Sequence, residues 1–289
     1  MRFDSYHPMI NFIYFVTAIV CTTQFQHPVF LAISYLSFFV YSIKLNGKRS
    51  AIFNLCLIPL IAAYAAWYSC YNHFGTTNLW VNFIGNQITL EAVTAGCVRG
   101  ITAASVIMIF SCIFAVVSAD KVVYLFGRIS PRLSLYLSIL LRFIPRVKQR
   151  ARRIELSRQG IGKGCGQGNI LQKLLHTLSF LSILLTWTLE DFVESAASMK
   201  CRGYSLRGRT AFSIYRFDNR DRGFVVAIFG CLTVIAAAVA FHQTNIIYRP
   251  EIIMNRITPV SYVFYGAYVL LLLLPMILQV AGEYKFQRK

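Results

Sequence analysis

The chain has 289 residues, 56% of them hydrophobic and only 14% charged, with a mean hydropathy of +0.56, a composition far from that of soluble globular domains. Its net charge of +18, from 29 basic against 11 acidic residues, is gathered into a few stretches. A nucleic-acid surface needs basic residues interleaved with exposed aromatics on a soluble face, so the pattern excludes a nucleic-acid partner and indicates an integral membrane protein.

Crossing a hydrocarbon core of ~30 Å takes about 20 apolar residues. Six stretches are predicted to do so. Residues 9–22 and 28–43 are the shortest and form a tight hairpin around Thr23-Gln24-Phe25-Gln26-His27; residues 52–70 and 100–117 follow, and 224–241 and 260–280 close the chain. The first run has no small-residue cleavage site behind it and no basic flank before it, so it is read as a retained span. Glu91 and Arg99 stand eight residues apart near the fourth span, on one side of a helix. Either they orient that helix or they sit at the outer interface.

Basic residues resist translocation and accumulate in cytoplasmic loops. Nineteen of the 29 lie between Lys121 and Arg222, three lie between Lys44 and Arg49, and residues 71–87 carry none. Six spans with both termini in the cytoplasm put every basic cluster on one face of the lipid bilayer. The organisation expected is an N-terminal transmembrane bundle of four spans (1–117), a cytoplasmic domain (118–222) and a C-terminal transmembrane pair (223–289).

A segment as long as 118–222 needs structure of its own. Ser130-Pro131 reads as an N-cap and first-turn proline. An apolar helix then runs to Ile144, kinks at Pro145 and continues through Lys148, Arg150, Arg152 and Arg153 to Gln159-Gly160. I-G-K-G-C-G-Q-G, residues 161–168, has too many glycines for a helix and is read as a flexible connector. A second amphipathic helix starts near Ile170 and ends at Arg202-Gly203. Each helix therefore finishes on an arginine just before a glycine, in S-R-Q-G at 157–160 and C-R-G-Y at 201–204. A C-terminal arginine complements the helix dipole by ~0.3 to 1 kcal/mol and glycine supplies the left-handed cap. Two such tips on one side of a membrane also suit docking, because a guanidinium fork matches a carboxylate in a partner's groove.

Signatures of chemistry are missing. The eight cysteines include no C-x-x-C pair, the five histidines no metal-ligand spacing, and the glycines around Lys163 do not form G-x-x-x-x-G-K-[ST]. The chain is read as a non-enzyme with no catalytic residue, cofactor or metal.

L-R-F-I-P at 141–145, Ser157-Arg158-Gln159, the A-x-x-M-x-x-R-G-Y run from Ala196 to Tyr204, and Arg209-Thr210 together resemble the transmembrane T component of energy-coupling factor transporters. Tyr6-His7-Pro8 and Arg99 add weaker matches. The resemblance implies an all-α integral membrane protein of the prokaryotic cell membrane, with about six transmembrane helices and a cytoplasmic domain of long amphipathic coupling helices. It implies two partner types. Two ATP-binding-cassette ATPase subunits receive the tips Ser157-Arg158-Gln159 and Cys201-Arg202-Gly203, and a membrane-embedded S component, which binds the vitamin or metal ion, packs on an apolar face here formed by Leu174, Leu178, Leu181 and Leu185. The family commonly has Ala-Arg-Gly at the first tip, so Ser157 and Gln159 depart from it. A stand-alone secondary transporter would need inverted repeats, and a membrane-bound enzyme clustered acids; neither pattern is apparent.

The basic-residue census generates a topology test. Single cysteines replacing Asn78 and Gln167, each in a background without native cysteines, should react oppositely with an impermeant thiol reagent on whole cells, and equal labelling would rule out six spans with cytoplasmic ends.

Overall fold

The computed structural model describes residues 3–72, 74–81, 87–204, 206, 215, 217–246, 248, 252–253 and 258–287. Within these, the chain is an all-α integral membrane protein carrying one two-stranded hairpin. It divides into two compact units, one from residues 1–118 and 215–289 and the other from 119–214.

In the first unit, histidine-proline pairs begin the first two helices, α1 (Pro8–Gln24) and α2 (Pro28–Asn46). Proline at the first position lacks only an N–H that has no helical acceptor. The preceding His7 and His27 accept the amides of Met9 and Val29 at Nδ1, each at 3.3 Å. Burial pushes the His27 imidazole below its ordinary pKa, which keeps Nδ1 free as an acceptor. The amides of Gln26 and His27 both donate to the Thr244 carbonyl, which ties the linker to the far end of α8 (Asn219–Ala240). Between α2 and α3 (Lys48–Tyr71) stands Gly47 alone, at φ +69°. Only glycine adopts that conformation freely, so the chain reverses within one residue.

α3 meets α4 (Leu90–Val116) closely because the contact residues are small. A Cβ added at Gly96 would lie 3.0 Å from the Ala65 carbonyl, and one at Gly100 would lie 3.1 Å from Ile61; with Ala104 they form a small-residue stripe at intervals of four, which allows close approach in lipid. α9 (Pro259–Gln287) is joined by polar contacts. Tyr14 donates to the Leu272 carbonyl at 2.8 Å, and the Tyr268 hydroxyl lies 2.6 Å from Ser34 Oγ. The His7 amide reaches Asp221 on α8. These pairings fix directions: the start of α1, the Gly47 turn, the end of α4 and the start of α8 lie at one end of the unit. The hairpin of β1 (Asn78–Val81) and β2 (Gln87–Thr89) lies at the other.

Among the described residues, six helices are long and apolar enough to cross a membrane, but they are not all the stretches the sequence suggests. The 17-residue α1 is shorter than a full crossing, and the 32-residue Ile170–Cys201 helix of the second unit is long and apolar enough for one. The difference is one of helix continuity: polar ends extend the second-unit helix well beyond its apolar run, while α1, ending at Gln24, adds only three residues to the predicted run 9–22.

The strands were not expected. Glu91 explains how they are held: its carboxylate accepts Thr77 Oγ1 at 2.8 Å and the Thr77 amide at 3.4 Å. It therefore anchors the loop before β1 and does not pair with Arg99, whose guanidinium stacks 4.7 Å from the Tyr68 ring centroid. Gly75, at φ +120°, approaches so closely that an added Cβ would lie 2.3 Å from Glu91 Oε2. Gly75→Ala should lower thermal stability by about 1–3 kcal/mol in detergent, from backbone strain and displacement of Glu91 together. An unchanged melting temperature would remove Glu91 as the anchor of this loop.

Candidate functional site

The second unit consists of α5 (Ala119–Ile129), α6 (Pro131–Gly160) and α7 (Ile170–Cys201). α6 is one continuous helix through Pro145, so the apolar and basic halves read from the sequence belong to one element. α7 opens with a capping box in which the Asn169 amide donates to Gln172 Oε1 at 3.1 Å. The amphipathic α5 had not been anticipated.

Three sets of contacts pair α6 with α7 in opposite directions. Phe143 stacks on Phe192 with centroids 4.6 Å apart. Arg150 forms an ion pair with Asp191, donates to the Trp187 carbonyl at 2.9 Å and lies over the Trp187 ring. Arg158 donates from Nε to the Lys163 carbonyl at 3.2 Å, from Nη1 to Ser179 Oγ at 3.0 Å and from Nη2 to the His176 carbonyl at 3.2 Å. The helices thus form an antiparallel hairpin whose two arginine tips lie at opposite ends. With Arg158 seated at Ser179, the length of α7 leading to Arg202 separates the tips by ~35 Å.

Both tips end in the same cap, with the arginines placed differently in it. In α6 the Lys163 amide donates to the Arg158 carbonyl and the Gly162 amide to that of Gln159. In α7 the Tyr204 amide donates to Met199 and the Gly203 amide to Lys200. These are the paired bonds of a Schellman motif, with the left-handed glycine at Gly162, φ +70°, and Gly203, φ +77°. Gly160, the glycine of S-R-Q-G, is helical and plays no such part. Arg202 stands directly before its glycine and is exposed, with no side-chain partner among the described residues, whereas Arg158 lies one turn inside and is 9% exposed. The sequence reading has both arginines protruding; in the structure only Arg202 does. Ser157 and Gln159 are exposed beside Arg158, Ser157 donating to the Arg153 carbonyl and Gln159 to Glu155. Cys201 is exposed beside Arg202.

The glycine-rich connector is a closed turn. Glu155 accepts the Cys165 amide at 2.9 Å and its thiol at 3.0 Å, and the Gly164 amide donates to Gln167 Oε1. The Cys165 hydrogen bonds hold the Glu155 carboxyl below the usual carboxylate range, and the carboxylate in turn pushes the Cys165 thiol up. Capping bonds outweigh the conformational freedom of the glycines.

Leu174, Leu178, Leu181 and Leu185 are all exposed, by 47–60%, along one face of α7. Sequence reasoning did not use one spacing on α6. Arg142, Arg146 and Arg150 recur every fourth residue, a spacing that places them on one helix face.

No protein-family model matches the sequence. The chain is 30% identical over 109 residues to the energy-coupling factor transporter transmembrane protein EcfT of Lacticaseibacillus paracasei, covering 36% of this chain and 41% of that protein. It is 33% identical over 97 residues to EcfT of Lactococcus lactis, covering 33% and 36% respectively, and 32% identical over 108 residues to that of Bacillus selenitireducens, covering 37% and 39%. The matched third of the chain is EcfT-like. The match spans about two fifths of those relatives' length. An EcfT-like chain accords with the multi-pass helical membrane architecture.

Two measurements check this geometry. Arg158→Ala should destabilise the α6/α7 hairpin by about 1–3 kcal/mol in thermal unfolding, since it removes the three charged hydrogen bonds of a largely buried guanidinium. With Cys165 as the sole cysteine, Glu155→Gln should speed its alkylation at pH 8 several-fold, because removing the neighbouring carboxylate lowers the thiol pKa; an unchanged rate would place Glu155 away from the thiol.

Proposed function

We propose that the chain is the transmembrane coupling subunit of an energy-coupling factor importer for a vitamin or metal ion, and that it performs no chemistry itself. Support comes from the similarity to EcfT proteins and from the antiparallel pairing that carries two capped arginine tips to opposite ends of one hairpin. Tips ~35 Å apart suit two separate ATPase subunits. The residues 118–222 and both chain ends face the cytoplasm, as the basic residues direct.

The two tips divide the work. Arg202, exposed at the cap of α7, is the docking cation for a carboxylate in one ATPase groove. Arg158, turned inward, shapes the other tip so that the exposed Ser157 and Gln159 meet the second groove. ATP-driven closure moves the tips, and the rigid hairpin passes that displacement to its apolar face. Leu174, Leu178, Leu181 and Leu185 form that face and pack against the S component.

Arg202→Ala removes one half of a partly desolvated ion pair, so retention of the ATPases on the purified chain should fall more than tenfold while its melting temperature stays within a degree or two. Arg202→Lys should recover part of the loss. Normal ATPase retention by the Arg158→Ala, Arg202→Ala double variant would sink the coupling assignment and leave both arginines as helix caps. Leu185→Glu should release the S component but keep the ATPases, since a charge is tolerated at this exposed position until a membrane partner buries it. Loss of the ATPases alone would reverse the assignment of surfaces.

A further inference from the structure

A cleft of about 460 Å³ opens between α6 and the C-terminal part of α7, within the range of small-ligand sites. Its polar side is set by Arg142, Arg146 and Arg202, none of which has a side-chain partner among the described residues, with Arg150 behind them committed to Asp191. One uncompensated carboxylate, Glu194, also lines it, leaving the cleft net positive. The apolar side of the cleft lies on the same face of α6, towards its N-terminal end, at Leu135 and Ile139, with Phe143 next to Arg142. Leu133, Tyr136, Leu140 and Ile144 are exposed on the other face of the same half of α6.

We propose that this cleft binds an anionic phospholipid, its phosphate held by Arg142 and Arg146 and its glycerol and acyl carbons against Leu135 and Ile139. Guanidinium forks match phosphate oxygens in bidentate geometry, and basic pockets beside the membrane surface select anionic headgroups. A free phosphate shares the charge chemistry but gains nothing from the apolar side. Acidic protein segments lack the contiguous alkyl chain that this side accommodates. The proposal does not rest on the docking role of Arg202, because its test uses Arg142 and Arg146.

The test measures thermal stability of the purified full chain in neutral detergent during titration with short-chain phosphatidylglycerol, short-chain phosphatidylcholine or inorganic phosphate. Phosphatidylglycerol should raise the melting temperature saturably, and the other two should not. Arg142→Gln with Arg146→Gln should raise the half-saturating concentration about tenfold, as expected for losing charged hydrogen bonds, whereas Lys148→Gln with Arg152→Gln should leave it unchanged. Should the double arginine variant not fold, native mass spectrometry of the wild-type chain decides: one retained phosphatidylglycerol supports the site, and none refutes it. Equal stabilisation by both lipids, an equal effect of the Lys148 and Arg152 pair, or full stabilisation by phosphate alone would each overturn the proposal.

Discussion

The arrangement of the second unit depends on one guanidinium. Arg158 uses three nitrogens to bind the turn that follows its own helix and the N-terminal half of the next. A charged hydrogen bond of this kind is worth more than a neutral one, and here three converge where the chain must reverse. Arg150, two turns earlier on α6, repeats the arrangement with Trp187 and Asp191. Register between the helices is therefore set by polar contacts at two heights and by one aromatic stack, while their outer faces remain apolar and open. Such faces suit a subunit whose remaining contacts are supplied by other proteins and by lipid.

The first unit follows a different principle. Its helices close over glycine and alanine where α3 meets α4, and over tyrosine and serine hydroxyls where α9 meets α1 and α2. In lipid the hydrophobic effect between helices is absent, so close packing and interhelical hydrogen bonds take its place.

Much of this was legible in the sequence because composition and periodicity report burial in lipid and helix continuity. The α7 boundaries, read as Ile170 and Arg202-Gly203, are those of the structure, where Asn169 caps the start and Gly203 takes the left-handed conformation at the end. Less was legible where long-range contacts decide. S-R-Q-G and C-R-G-Y look equivalent as strings, yet the left-handed residue after α6 is Gly162 and not Gly160, which turns Arg158 inward and leaves Arg202 outward. The β-hairpin was hidden because its support is Glu91, fifteen residues from Thr76 and open in the sequence between orienting the fourth span and lying at the outer interface. The contacts of the connector, residues 161–168, were hidden from the sequence because their partner is Glu155, on a neighbouring turn of α6.

The length of α1 bears on the surrounding lipid. At 17 residues it is shorter than α2 at 19 and α3 at 24, and it rises ~25 Å against a hydrocarbon core of ~30 Å. Its outward residues Phe12, Ile13, Val16 and Val20 are exposed, so lipid tails on that flank meet a hydrophobic belt too narrow for a bilayer of average thickness. A mismatch of a few ångströms costs only fractions of a kcal/mol per ångström. Summed along a flank, it dimples the membrane there and favours short acyl chains or a thin-belted neighbour, giving the protein a sidedness within the plane of the membrane.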